Sequence, residues 1–254
     1  MRKRARPLRW YIIWYLILFF LLAAVFSVIL TLPFWQIKSA IVIGAEILSP
    51  KIVEEITKVP IGENIFFADL NGSIQRLKEI KQIKDFGIFR SLPSTLVIKI
   101  IERKPLAVVQ IGKESAIIDE EGVILKKTSG KGVGKFNVDA DVGDISAFPV
   151  VKGIKKEMVK DESLDGDIAG SIGGAITKLE AFLKPSSLQL DFSDPGDISL
   201  LVEDMLRVKL GDTEKLPSKI DVLEALLPQV EGKWNDVEYI DIRYINNPVI
   251  KMRH

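Results

Sequence analysis

The sequence predicts an α+β protein: one N-terminal transmembrane helix, then a β-α-α-β-β unit, then a mainly antiparallel β domain with two helices. Two observations predict it. Residues 10–35 form one uncharged apolar run, and after it segments alternating with period two are interrupted by four stretches of helical period.

The apolar run reads WYIIWYLILFFLLAAVFSVILTLPFW. A helix needs about 20 apolar residues to cross the hydrocarbon core, and soluble core helices are rarely this long. Arg9, Trp10 and Trp14, with Tyr11 and Tyr15, mark one membrane boundary, and Trp35 marks the other. Arg2, Lys3, Arg4, Arg6 and Arg9 stand on one side only, which predicts a cytoplasmic tail at residues 1–9 and an extracytoplasmic C-terminus. A cleaved signal peptide fits poorly. Its apolar stretch is about 7–15 residues long and ends in small residues, whereas here Leu32, Pro33, Phe34 and Trp35 follow.

The body of the chain is mildly acidic. Five of the 35 basic residues lie in the tail, leaving 30 against 34 acidic ones. That balance speaks against a nucleic-acid partner, whose phosphates require clustered Lys and Arg. At 254 residues and 47% hydrophobic content the chain suffices for one or two domains. There is no cysteine, which rules out thiol catalysis and disulfides and suits an oxidising compartment.

After the anchor, Ile37, Ser39, Ile41 and Ile43 alternate with Lys38, Ala40 and Val42 in a strand that stops at Gly44. Ser49-Pro50 predicts a helix start, with a capping hydroxyl and a proline in the first turn. Asp69 is placed to cap a second helix carrying Leu70, Ile74, Leu77 and Ile80. Strands near residues 83–90 and 95–103 flank the turn Leu92-Pro93-Ser94.

The expected division is 36–105 for this unit and 106–254 for the next. In the second, a hairpin turns at Gly112-Lys113 and VILKK follows it. Residues 128–144, rich in Gly, Lys and Asp, read as an exposed loop. Helices are expected over 167–184 and 217–230, with three short strands between them. VEYIDIRY and NPVIKMR close the chain as two strands around Asn246-Asn247.

Little here points to catalysis. SGKGVGK at residues 129–135 lacks both the spacing and the Ser or Thr of a phosphate loop. Asp161, Ser163, Asp165 and Gly166 resemble half a calcium loop, but Ile172 stands where the bidentate Glu belongs. Asp167 complements the dipole of the helix that follows. The single histidine is His254, and no spacing points to a Ser–Lys pair. No cofactor is expected.

The β-α-α-β-β order of residues 36–103 resembles that of a POTRA domain. Gly44, GENIFFADL at 62–70 and FRSLPSTLVIKIIERKPLA at 89–107 together resemble the FtsQ/DivIB family of bacterial cell-division proteins. IDEEGVIL at 118–125, FPVVKG at 148–153, VKLGD at 208–212 and YIDIRY at 239–244 fit that family's second domain. The resemblance spans nearly the whole chain and is weakest over 128–144. It implies a non-catalytic scaffold in the inner membrane at the division septum, which recruits the FtsB–FtsL pair and so helps control septal peptidoglycan synthesis. It further implies that a partner strand docks at the C-terminal edge, on Arg243, Tyr244, Asn246, Asn247, Val249, Ile250, Lys251 and Met252. Other division proteins are expected at the POTRA edge. The alternative is a POTRA protein of a translocation or outer-membrane assembly pathway, binding client strands by the same edge chemistry.

Overall fold

The computed structural model describes residues 8–129, 132–133, 145–194 and 196–253. Two compact units emerge: Met1–Ala45, Ser49–Glu79 and Asp85–Ile101 in the first, Glu46–Leu48, Ile80–Lys84 and Glu102–His254 in the second.

The first unit opens with α1 (Leu8–Leu30). None of its window Trp10–Leu30 is buried, as a helix apolar all round requires when its solvent is lipid. The helix stops five residues short of Trp35, because Pro33 begins a separate 3₁₀ turn, Pro33–Trp35, and the residue before a proline avoids the α region. A three-stranded sheet follows, built from β1 (Ser39–Ile43), β2 (Ile83–Ser91) and β3 (Thr95–Glu102) in the order β1-β3-β2, with β1 parallel to β3. Helices α2 (Pro50–Thr57) and α3 (Asn71–Lys78) complete the unit.

Local chemistry explains several boundaries. Gly44 sits at φ +88, and a Cβ there would lie 2.2 Å from the Ile100 carbonyl oxygen, so only glycine lets β1 end against β3. Ser49 does precede α2, yet its side chain makes no capping bond; its backbone carbonyl accepts from Ile52 and Val53 instead. Asp69 does bond the start of α3, its Oδ1 accepting from Asn71 N–H at 2.9 Å. In β1 the inward side belongs to Ala40, while Ile41 and Ile43 remain half exposed.

Among the described residues, the second unit is built on a ten-stranded sheet. Its strands in chain order are β4 (Ala107–Ile111), β5 (Glu114–Ile118), β6 (Ile124–Ser129), β7 (Gly132–Val133) and β8 (Val150–Ile154). A two-stranded hairpin, β9 (Val159–Lys160) and β10 (Ser163–Leu164), is tied to the start of β6 by a bridge between Val123 and Ser163. The sheet continues with β11 (Leu188–Asp191), β12 (Ile198–Val202), β13 (Leu206–Gly211), β14 (Val237–Asp241) and β15 (Val249–Met252). Spatial order is β15-β14-β13-β12-β11-β8-β4-β5-β6-β7. Of the nine pairings three are parallel, β4 with β8, β8 with β11 and β13 with β14, and the rest antiparallel.

Helices α4 (Gly166–Leu179) and α5 (Leu216–Val230) contribute Ile172, Ile176, Leu179, Ile220 and Leu223 to one continuous core with Val151, Leu190, Leu200, Val208 and Ile240. Each such fully buried side chain stabilises the fold by about 1.5–3 kcal/mol. The acidic segment before α4 has a structural role: Asp165 Oδ1 accepts from Asp167 N–H, capping the helix. The expected loop 128–144 and the glycine-lysine motif within it fall mostly outside the described residues.

Candidate partner-binding edge

Strand β15 ends the sheet. Among the described residues no strand pairs with its outer side, so alternate residues turn backbone N–H and C=O groups outward unpaired. It pairs antiparallel with β14, Asp241 opposite Val249 and Ile240 opposite Ile250, and a register shift lies between Val237 and Tyr239. Extra residues in one strand bend and twist an edge locally.

The expected site residues separate into groups. Val249 and Met252 are 47% and 42% exposed, and Lys251 is exposed as well. Ile250 is half-buried and packs on the domain's own core, so its side chain already has an occupation. Strand β14 ends at Asp241, which leaves Arg243 and Tyr244 in the connection rather than in a strand. Tyr244 is 75% exposed, and its carbonyl accepts from Asn247 N–H at 3.0 Å, closing the turn that contains Asn246. Ile240 and Ile242 are fully buried.

Charge at this edge is neutralised internally. Arg243 donates through Nε to both Asp241 carboxylate oxygens at 3.0 and 3.1 Å and through a terminal nitrogen at 2.6 Å. That bonding holds the Asp241 carboxyl below its usual 3.8, against the opposing effect of burial, and raises the Arg243 guanidinium. The aliphatic stem of Arg243 crosses Gly211, where a Cβ would come within 3.0 Å of Arg243 Cγ. This explains the glycine in VKLGD. Lys251 pairs with Glu238 at 2.9 Å, and Lys209 lies 4.0 Å above the Tyr239 ring. What remains for a partner is apolar surface at Tyr244, Val249 and Met252 beside a free backbone edge.

Sequence reasoning named the edge residues but missed the arrangement that presents them. The Asp241-x-Arg243 spacing was a usable signal, since alternate residues of an extended chain lie on one side. Among the described residues no group of three or more His, Cys, Asp or Glu stands together to hold a metal.

The residues expected at the membrane boundary lie in the first unit. Arg9, Trp10 and Trp14 are in the first turns of α1, with the Trp10 and Trp14 rings 6.5 Å apart. The Trp35 ring lies against Phe66, with centroids 5.1 Å apart and planes tilted by 59°.

Comparison with known proteins agrees with this architecture. Residues 36–103 match the model of the FtsQ-type POTRA domain, and residues 107–243 match that of the C-terminal part of the cell division proteins FtsQ and DivIB. The chain belongs to the FtsQ/DivIB family. It is thereby a bacterial cell-division protein, which turns the reading away from translocation or outer-membrane assembly. The cell division protein DivIB of Clostridium acetobutylicum is 31% identical over 232 residues, 88% of this chain and 86% of that one. The FtsQ protein of Koribacter versatilis is 25% identical over 197 residues, 75% of this chain, which spans only 53% of it. The solved extracytoplasmic domain of DivIB from Geobacillus stearothermophilus shares 17% identity, covering 52% of this chain and 97% of that one, at a TM-score of 0.30. The family match ends at Arg243, so β15 lies beyond it.

Proposed function

We propose that this FtsQ/DivIB-family chain is a non-catalytic, single-pass scaffold of the division septum. It recruits an FtsB–FtsL-like pair by strand addition at β15 and so helps control septal peptidoglycan synthesis. Residues 1–9 form the cytoplasmic tail, 10–35 the membrane segment, 36–105 the POTRA domain and 106–254 the binding domain. One observation carries the reading: β15 is a terminal strand with an unpaired backbone edge, flanked by exposed Tyr244, Val249 and Met252. Backbone pairing supplies affinity in such complexes, and alternate side chains supply register.

Removing residues 237–254 is a poor test, because Val237, Ile240 and Ile242 are core. The better variant is Val249→Lys with Met252→Lys in the full chain. It should weaken capture of a purified FtsB–FtsL pair by at least tenfold while the thermal melt stays unchanged. Undiminished capture would exclude the β15 edge. A fluorescent fusion should gather at mid-cell during constriction, and uniform envelope fluorescence throughout division would remove the septal placement.

A further inference from the structure

The end of the membrane helix is closed by the domain that follows it. A helix leaves its last carbonyls without partners, and in hydrocarbon such groups are costly. Here the Val28 carbonyl accepts from Thr31, through both N–H at 3.1 Å and Oγ1 at 2.9 Å. The Ile29 carbonyl accepts from Leu32 N–H and from the Trp35 indole at 2.8 Å. The Leu30 carbonyl accepts from the Asn64 side-chain amide at 2.6 Å. Asn64 belongs to a loop 34 residues further on.

That loop is laced to the linker. Ile65 N–H donates to the Trp35 carbonyl at 2.7 Å, Ile37 N–H to Glu63 at 2.8 Å, and Gly62 N–H to Ile37 at 2.8 Å. Asn64 Oδ1 also accepts from Phe66 N–H at 2.9 Å, which fixes the amide so that its NH₂ faces Leu30. Linker and loop therefore continue the helix as one ordered piece.

Helix length sets the depth of this junction. The window Trp10–Leu30 has 21 residues, about 31 Å at the α-helical rise, against a hydrocarbon core of about 30 Å. If Trp10 marks one boundary, the Leu30 carbonyl lies at the other, and Asn64 is a single hydrogen bond away. Phe34 (55% exposed), Ile61 (55%) and Phe67 (68%) stand within four residues of Leu30 or three of Asn64. Residues 31–37 and 59–68 carry a single charge, Glu63.

We propose that the loop 61–67 and Phe34 sit in the outer acyl–headgroup boundary of the bilayer, with Asn64 latching the POTRA domain to the last turn of α1. The occupant of this exposed apolar surface is lipid, where aromatic side chains favour the interface. The inference rests on α1 spanning the bilayer. Its consequence is that the domain leaves the membrane in a set direction rather than on a free tether.

The absence of cysteine permits single nitroxide labels at Phe67→Cys, Leu21→Cys and Lys99→Cys in the full chain. Lys99 is exposed and pairs in register with Ile43, seven residues beyond Gln36. In phosphatidylethanolamine–phosphatidylglycerol vesicles, relaxation by oxygen and by a soluble nickel chelate reports depth. Phe67 should be oxygen-favoured, between Leu21 and Lys99. If Phe67 matches Lys99 while Leu21 stays oxygen-rich, the loop stands off the bilayer and the proposal fails, leaving that surface to a protein partner. If Leu21 is itself aqueous, the spanning helix fails and the proposal with it. Asn64→Asp keeps the acceptor for Phe66 N–H but removes the donor to Leu30. It should raise nickel accessibility at Phe67 at least twofold with an unchanged melt, and no change would overturn the latch.

Discussion

The POTRA unit and the C-terminal edge use polar residues in opposite ways. In the first, recognisable residues are spent on holding the chain together. Arg90 donates through Nε to the Ile65 carbonyl at 2.6 Å and through a terminal nitrogen to Ala68 at 3.2 Å, fixing the loop that contains Asn64. Gly44 exists so that β1 can end against the Ile100 carbonyl. At the C-terminal edge the charged residues pair with one another, Arg243 with Asp241 and Lys251 with Glu238. The backbone beside them stays open. Distinctive sequence words therefore mark internal joints, while the surface fitted for a partner is found by asking which groups remain unsatisfied.

The sharpest test of that contrast is Gly44→Val. A Cβ would collide with backbone at a φ that branched residues avoid, so the first unit should lose about 3 kcal/mol or fail to fold. Denaturant melts read this loss. Capture of an FtsB–FtsL pair at the β15 edge should survive it, and loss of capture alongside POTRA unfolding would break the separation of roles.

A smaller effect is expected in acid. Arg243 lowers the Asp241 carboxyl in the folded state. The stability this contributes is therefore complete above the unfolded value, near 3.8, and is lost as pH falls through the folded one. Stability from this pair should be flat from pH 6 to 8 and decline only below about pH 4. Urea melts of Asp241→Asn against the parent should differ at pH 7, and the difference should shrink as pH falls below about 4.

The smallest effect belongs to Lys251→Ala. Its partner Glu238 is equally exposed, and salt and side-chain entropy erode such surface pairs. Melts should be indistinguishable from the parent. A large drop in partner capture by this variant alone would show that Lys251 contacts the partner directly.

Much of the fold was legible because it follows from local pattern. The strand near residues 95–103, the hairpin at Gly112-Lys113 and the helical faces of Ile172, Ile176, Ile220 and Leu223 all take the expected form. Departures occur at a helix end and in the facing of a strand. Helix α4 ends at Leu179 although apolar spacing continues to Leu183, which packs on the core from the following turn. Which side of β1 faces inward was not decided by alternation alone. Ile41 and Ile43 are larger than Ala40, yet Ala40 is the buried residue.

The candidate edge was only half legible. Tyr244, Val249 and Met252 could be named, but not that β15 has no outer neighbour among the described residues, and Ile250 turned out to serve the core. The FPVVKG segment gave no sign that β8 would stand mid-sheet, parallel to both β4 and β11.

By itself, the sequence determined a helix long and apolar enough to cross a membrane, the kinds of elements and the absence of thiol chemistry, because composition and short-range periodicity are local properties of the chain. Tertiary structure alone decided that β15 is an edge and that the end of α1 is closed by Trp35 and Asn64. The strand order and the Asn64 bond to Leu30 both join groups distant in sequence, and no local pattern encodes which of many such pairings the folded chain adopts.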